Sequence, residues 1–232
     1  LNLLKIMNKY NCKNIIFSSS ATVYGIPEKM PITEDCKVGG TTNPYGYTKI
    51  MIEQILTDLQ KSDNTWNVVL LRYFNPIGAH KTGLIGDKYE GNVNNIMPSI
   101  LSVLIGEKDE LEVFGGDYNT PDGTCIRDYI HVLDLAKAHI KAVEKLLSTK
   151  ELECYNLGTG KGYSVLELIK IFEKTNDVKI KYKITERRYG DVAVCFSDSS
   201  YVQRKLGWKP EYTIEEMCKD SYNYIKNKIE KE

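Results

Sequence analysis

Tyr45 and Lys49 stand four residues apart in the run Asn43-Pro44-Tyr45-Gly46-Tyr47-Thr48-Lys49, so a helix puts both side chains on one face. A phenol titrates near ~10 in isolation, and a neighbouring ammonium favours its phenolate. The pair therefore suits proton abstraction near neutral pH. The same spacing also describes a surface tyrosine that happens to precede a lysine, so companions have to decide. Upstream lies Ser18-Ser19-Ser20-Ala21-Thr22-Val23-Tyr24-Gly25, small hydroxyl residues at the carboxyl end of an apolar run. Open α/β sheets place their ligands there; a polar turn capping a strand is the other reading.

These residues need elements to hold them. Pro44 suits the first turn of a helix, with its fixed φ and missing N–H, and Ile52, Ile55, Leu56 and Leu59 recur at helical spacing as an inward face. Residues 14–18 read as a short apolar strand and 66–73 as a second, both of the kind buried on two faces of a parallel sheet. Strand, helix, strand predicts a right-handed parallel crossover. A helix tail covers 1–10, and 26–42 forms a loop leading to the Tyr45 helix. Beyond Asn75 come a glycine-rich loop over 81–91, a helix starting at 94–98 and ending at 105, and a strand over 111–114. A long turn follows over 115–123, then Arg127 to Val132 leading into a helix over 134–147. The chain continues with a strand over 154–158, its turn over 159–162, a helix over 165–172 and a strand over 178–184. Helices at about 200–206 and 214–229 close it.

Composition sets outer bounds. Lys plus Arg equals Asp plus Glu at 31 each in 232 residues, so no global charge argues for nucleic acid or a membrane surface. Apolar runs are too short to span a bilayer, and the first residues lack the flanks of a signal peptide. Six cysteines are scattered without a C-x-x-C pair, which reads as reduced thiols in a cytoplasmic protein. The three histidines are too dispersed for a metal site, and none is expected. No glycine-rich dinucleotide fingerprint opens the chain and no P-loop occurs. Gly158-Thr159-Gly160-Lys161-Gly162 follows the last parallel strand and reads as a strand-to-helix turn. A doubly wound dinucleotide fold needs two βαβαβ halves, and only the second is expected here.

Four stretches in order carry a resemblance: the Ser18–Gly25 run, Pro44-Tyr45-Gly46-Tyr47-Thr48-Lys49, Arg72-Tyr73-Phe74-Asn75-Pro76-Ile77-Gly78-Ala79-His80, and Arg127-Asp128-Tyr129-Ile130-His131-Val132. Together they resemble the UDP-glucose 4-epimerase (UDP-galactose 4-epimerase) family of extended short-chain dehydrogenase/reductases, over essentially the whole sequence. The resemblance implies an α/β fold: a doubly wound Rossmann-like parallel sheet, in its C-terminal half only, with a smaller mixed α/β UDP-sugar-binding domain. The first domain would take residues 1–75 with a return segment at about 125–160, the second 76–124 and 161–232. The family's chain begins earlier, so this sequence, which also lacks an initial methionine, is expected to be about its C-terminal two thirds.

By the same resemblance the cofactor is NAD and the substrates are UDP-glucose and UDP-galactose, epimerised at C4 through a 4-keto sugar in galactose metabolism. Tyr45 is then the base and acid. Lys49 tunes it and binds the nicotinamide ribose, and Ser20 bonds the sugar O4 with Thr22 beside it. Ser18 and Tyr73 belong to the cofactor side. Asn75, Asn95, Ile96, Phe114, Arg127, Arg188 and Asp191 match the nucleotide ligands. Two guanidinium groups suit a diphosphate, although Arg187-Arg188 alone would read as a solvated basic pair. Cys195 matches a position where family members with tyrosine crowd a 2-acetamido group, so the resemblance implies that UDP-N-acetylglucosamine and UDP-N-acetylgalactosamine are also interconverted. A buried thiol filling the core is the plainer reading of Cys195. A homodimer through two helices is implied, in the cytoplasm.

Alternatives stay open at this level. Nucleotide-sugar 4,6-dehydratases carry an Asp-Glu pair where Ala21-Thr22 stands. UDP-glucuronate 4-epimerases usually lack the Arg-Tyr-Phe-Asn-Pro run. A non-catalytic UDP-binding fragment would need no Ser20, Tyr45 and Lys49 together.

Overall fold

The structure, a computed structural model, describes residues 1–41, 43–87, 95–148 and 151–229. Thr42 and residues 88–94, which include part of the expected glycine-rich loop and the first residue of the expected helix start, lie outside the described residues. The first elements are α1 (Asn2–Lys9), β1 (Asn14–Ser20), a 3-10 turn (Ala21–Tyr24), α2 (Pro44–Ser62), β2 (Asn67–Tyr73) and β3 (Asn75–Ile77). Next come α3 (Ile96–Leu104), β4 (Leu111–Phe114), β5 (Ile126–His131), α4 (Val132–Ser148) and β6 (Leu152–Leu157). The chain ends with β7 (Gly162–Ser164), α5 (Val165–Asn176), β8 (Tyr182–Thr185), β9 (Val194–Cys195), α6 (Ser200–Leu206) and α7 (Ile214–Ile229).

Strands β1, β2 and β6 form a parallel sheet in that order. The sheet separates two apolar layers through the period of two along β2. Val68 and Leu70 pack with Leu56 of α2, whereas Val69 and Leu71 pack with Leu135, Ala138 and Ala142 of α4. Helices therefore cover both faces, as a doubly wound sheet requires. Burying an aliphatic side chain of this size stabilises by ~1.5–3 kcal/mol, so packing rather than helix propensity holds α2 and α4 in place.

A second core joins α3, α5 and α7 to β3, β4 and β5 through residues such as Ile100, Leu111, Tyr129, Phe172 and Ile225. There β5 is central: it pairs in parallel with β3 and β9 and antiparallel with β7. The entry of α5 is fixed by a capping box, with Ser164 accepting from Glu167 N while Glu167 accepts from Ser164 N.

Three sequence expectations change. The strand over 14–18, expected to be buried on both faces, lies at the edge of the three-stranded sheet, with Ile15, Ile16 and Phe17 only half-buried. Of the four residues assigned to the inward face of α2, only Leu56 is fully buried; Ile52 and Ile55 are exposed, beside Met51. Glu53 occupies the inward position instead, because it has a buried cationic partner. The strand expected over 178–184 begins only at Tyr182, where pairing with β4 starts. Ile180 is buried in the second core while Tyr182 and Ile184 face outward. Strands β3, β7 and β9, at most three residues each, were too short to leave a periodic signal.

Candidate active site

The start of α2 sets the position of Tyr45. Asn43 caps the helix, its side chain accepting from Gly46 N at 2.7 Å, and Pro44 occupies the first turn. A Cβ on Gly46 would meet Thr41 Oγ1 at 2.2 Å, so glycine is what lets the buried Thr41 lie against the helix start. One turn on, Lys49 Nζ donates to the Ser18 carbonyl at 2.7 Å. Its ammonium lies 5.3 Å from the Tyr45 ring centroid and 5.0 Å from that of Phe17. The expected pairing of Tyr45 and Lys49 on one face is thus present, and it ties the helix to the carboxyl end of β1.

Ser20 caps the 3-10 turn. Its Oγ accepts from Thr22 N at 3.3 Å and from Thr22 Oγ1 at 3.0 Å, which leaves its own O–H available to donate. Ser18 and Tyr73 meet behind it, with the Tyr73 phenol 2.6 Å from Ser18 Oγ and 2.5 Å from His139 Nε2. His139 Nδ1 lies 2.8 Å from the Leu135 carbonyl, which can only accept, so that nitrogen carries a hydrogen. Burial raises the Tyr73 phenol above its ordinary range.

Two cavities meet to form one cleft. The first, about 590 Å³, is lined by Ser20, Thr22, Tyr45, Tyr73 and Cys195. The second, about 490 Å³, reaches Phe114 and Leu111. Asn75, Asn95, Ile96, Arg127, Arg188 and Asp191 line both. At the junction Arg188 grips Asp191 with two bonds, Nε to Oδ2 at 3.1 Å and Nη2 to Oδ1 at 3.0 Å. Arg127 Nη2 stands 3.8 Å from the same carboxylate, and the Arg188 guanidinium is 5.5 Å from the Phe114 ring centroid. Every site residue expected from the sequence lines this cleft except Ser18 and Lys49, which sit at its β1 margin. No cluster of His, Cys, Asp and Glu able to hold a metal occurs among the described residues, and none of their helices is long and apolar enough to cross a membrane.

Residues 1–158 match the NAD dependent epimerase/dehydratase family. The chain is 53% identical over 227 residues to a UDP-glucose 4-epimerase of Bacillus subtilis, covering 98% of this chain and 67% of that protein. The chain belongs to this family, among its UDP-glucose 4-epimerases. A UDP-glucose 4-epimerase of Homo sapiens is 50% identical over 226 residues, with 97% of this chain and 65% of that one covered. Among solved structures, the UDP-glucose 4-epimerase of Bifidobacterium longum in complex with NAD+ and UDP superposes with a TM-score of 0.93 at 52% identity, over 97% of this chain and 67% of that one. The chain thus spans about two thirds of the length of these epimerases.

Within an epimerase of this fold, the segment after Asp191 forms one wall of the first cavity. Cys195 lies on β9, in register with Arg127 of β5. Burial pushes its thiol up to about 11, so it presents a small neutral group. The neighbouring Asp128 fixes that wall. It is fully buried and accepts from Thr159 N and Oγ1, Gly160 N, and Ser197 N and Oγ at 2.6–3.1 Å. Sequence reasoning passed over Asp128, Glu53 and Arg72. The available signals were a charge at the end of the apolar strand Val68–Leu71 and an acid four residues beyond Lys49.

Proposed function

We propose that the enzyme built from this chain epimerises UDP-glucose and UDP-galactose at C4 with NAD as cofactor, through a 4-keto sugar. The observation that carries this reading is the continuity of the cleft, with Ser20 and Tyr45 at one end, the Arg127–Asp191–Arg188 cluster at the junction and Phe114 at the other end. A hydroxyl-bearing sugar fits the first end, and a diphosphate with its uridine fits the second.

In this reading Arg127 and Arg188 bind the diphosphate, with Asn75, Asn95 and Ile96 beside it. Phe114 lies against uracil, and Asp191 accepts from a ribose hydroxyl. Ser20 donates to the sugar O4 and Thr22 holds Ser20 in place. Tyr45 takes the O4 proton as the hydroxyl becomes a ketone and returns it after the sugar has turned over. NAD, when bound, would supply the hydride acceptor and donor that the C4 inversion needs. The donor set at the β1 margin fits such a cofactor: among the described residues Lys49 commits one of its three N–H donors, to Ser18, and the Ser18 and Tyr73 hydroxyls lie alongside. A spectrophotometric assay of the complete, NAD-loaded enzyme should convert UDP-galactose to UDP-glucose; absence of conversion in either direction overturns the proposal.

We also propose a division into a cofactor domain (1–75 with about 125–160) and a UDP-sugar domain (76–124 and 161–232); the presence of two hydrophobic cores supports it, with Val202, Leu206 and Trp208 packing on the first core and Tyr129 on the second. A homodimer is supported by the apolar outer surfaces of α1 and α2, where Leu3, Ile6, Met51, Ile52 and Ile55 are all exposed. Such faces pair well as a two-fold four-helix contact. Light scattering at micromolar concentration should return twice the mass of one complete chain, and a monomer mass would remove the dimer. The free cysteines support a cytoplasmic setting.

A further inference from the structure

Beneath the cleft lies a buried ionic network that touches no reacting atom. Glu53 and Arg72, 5% and 6% exposed, meet fork to fork, Nε to Oε1 at 3.0 Å and Nη2 to Oε2 at 2.7 Å. Ser19 Oγ donates to Glu53 Oε1 at 2.5 Å. Arg72 Nη1 donates to the Tyr24 hydroxyl at 2.9 Å, and Tyr24 donates to Asn156 Oδ1 at 2.7 Å. Ser19, Arg72 and Asn156 are register neighbours across β1, β2 and β6, so the network crosses the whole parallel sheet. Burial disfavours the guanidinium charge, but hydrogen bonding to Glu53 together with the neighbouring Cys154, Tyr24 and Glu53 charges outweighs it and holds Arg72 above its ordinary range.

Stability alone does not explain such a pair, since an apolar pair of similar volume often serves as well or better. What the fork adds is location, because two parallel N–H to O bonds fix both distance and angle. Glu53 follows Tyr45 and Lys49 by eight and four residues on the same face of α2. Ser19 immediately precedes Ser20, and Tyr24 ends the 3-10 turn that Ser20 caps. One buried junction thus sets both groups that meet at the sugar.

Resting on the roles given above to Tyr45 and Ser20, we propose that Glu53 and Arg72 are positioning residues that set the Tyr45 phenol and the Ser20 hydroxyl relative to each other, and so control turnover rather than UDP-sugar binding. A displacement of about 1 Å at reacting groups costs ~10²-fold in rate.

The test uses the complete, NAD-loaded enzyme with Glu53→Gln, which keeps side-chain shape and removes the charge, and Ser19→Ala, which removes one bond to the carboxylate. Expected is a kcat lowered by ~10–10²-fold for Glu53→Gln, and less for Ser19→Ala. KM for UDP-galactose and the calorimetric affinity for UDP should stay within about twofold. Arg72→Lys, retaining a charged donor, should recover more kcat than Arg72→Met. If Glu53→Gln does not fold, Ser19→Ala and Tyr24→Phe carry the test. Melting temperatures that fall with kcat unchanged in the folded enzyme, or KM rising in step with lost turnover, overturn the positioning role. Tyr45→Phe serves as the reference: near-wild-type turnover there removes the catalytic reading itself. An impaired Tyr45→Phe beside unimpaired Glu53→Gln and Ser19→Ala removes only the positioning role.

Discussion

Replacing Tyr45 by phenylalanine in the complete, NAD-loaded enzyme should lower turnover by ~10²–10⁴-fold, the usual contribution of a general base or acid, while leaving UDP affinity unchanged. Phenylalanine keeps the ring that the Lys49 ammonium approaches at 5.3 Å and removes only the hydroxyl. The helix cap at Asn43 and the Lys49 bond to Ser18 do not involve that oxygen, so geometry should persist. The groups assigned to UDP run from the junction of the two cavities, around Asp191, to Phe114 in the second, and none of them is Tyr45. Steady-state kinetics with an isothermal titration of UDP separates the two effects. Turnover within a few-fold of the unmodified enzyme would show that Tyr45 is not the proton carrier.

We predict that the unmodified enzyme also turns over UDP-N-acetylglucosamine and UDP-N-acetylgalactosamine, and that Cys195→Tyr abolishes this while sparing the glucose and galactose forms. Cys195 shares the first cavity with Ser20 and Tyr45, so whatever grows from that position takes space from the sugar. The thiol is small and neutral, whereas a phenol there would exclude a 2-acetamido group by collision, which discriminates more sharply than a weakened contact. The pairing of Cys195 with Arg127 is through backbone register and should survive the change. Competing-substrate assays on both enzymes decide the matter. Absent acetamido activity in the unmodified enzyme, or its persistence in the tyrosine variant, removes Cys195 as the gate.

Much of this site could be read from sequence because its parts are local. Tyr45 and Lys49 are spaced by one helical turn, and Ser18–Thr22 lies at the end of a short apolar strand, so the local pattern placed each on its helix or strand end, while their roles rested on the resemblance. The distant parts were legible only as family resemblance. Nothing in the spacing of Arg127, Arg188 and Asp191 announces that they meet, because β9 is held by long-range pairing with β5 and the segment after it by bonds from Ser197 to Asp128. The orientation of α2 failed for a different reason. A purely apolar inward face assumes that charges stay at the surface, whereas Glu53 goes inside because Arg72, nineteen residues away, goes inside with it. A buried pair of opposite charges cancels in any hydropathy pattern, and its two apolar neighbours, Ile52 and Ile55, then point outward.

The alternation along β2 also bears on how the chain avoids folding wrongly. Val68 and Leu70 face α2, Val69 and Leu71 face α4, and Arg72 continues the α2-facing series. Four aliphatic residues in a row would tolerate sliding by one position, since either face would still receive a branched side chain. Arg72 forbids it: a slip of one residue turns every side chain to the opposite face and would drive an unpaired guanidinium into the apolar layer beneath α4, while Glu53 lost its counter-charge. Such uncompensated burial costs several kcal/mol per ion, comparable with the whole ~5–15 kcal/mol that separates a folded domain from its unfolded chain. The single charge at the end of an otherwise uninformative strand acts as a stop that admits one alignment of the sheet and rejects its neighbours.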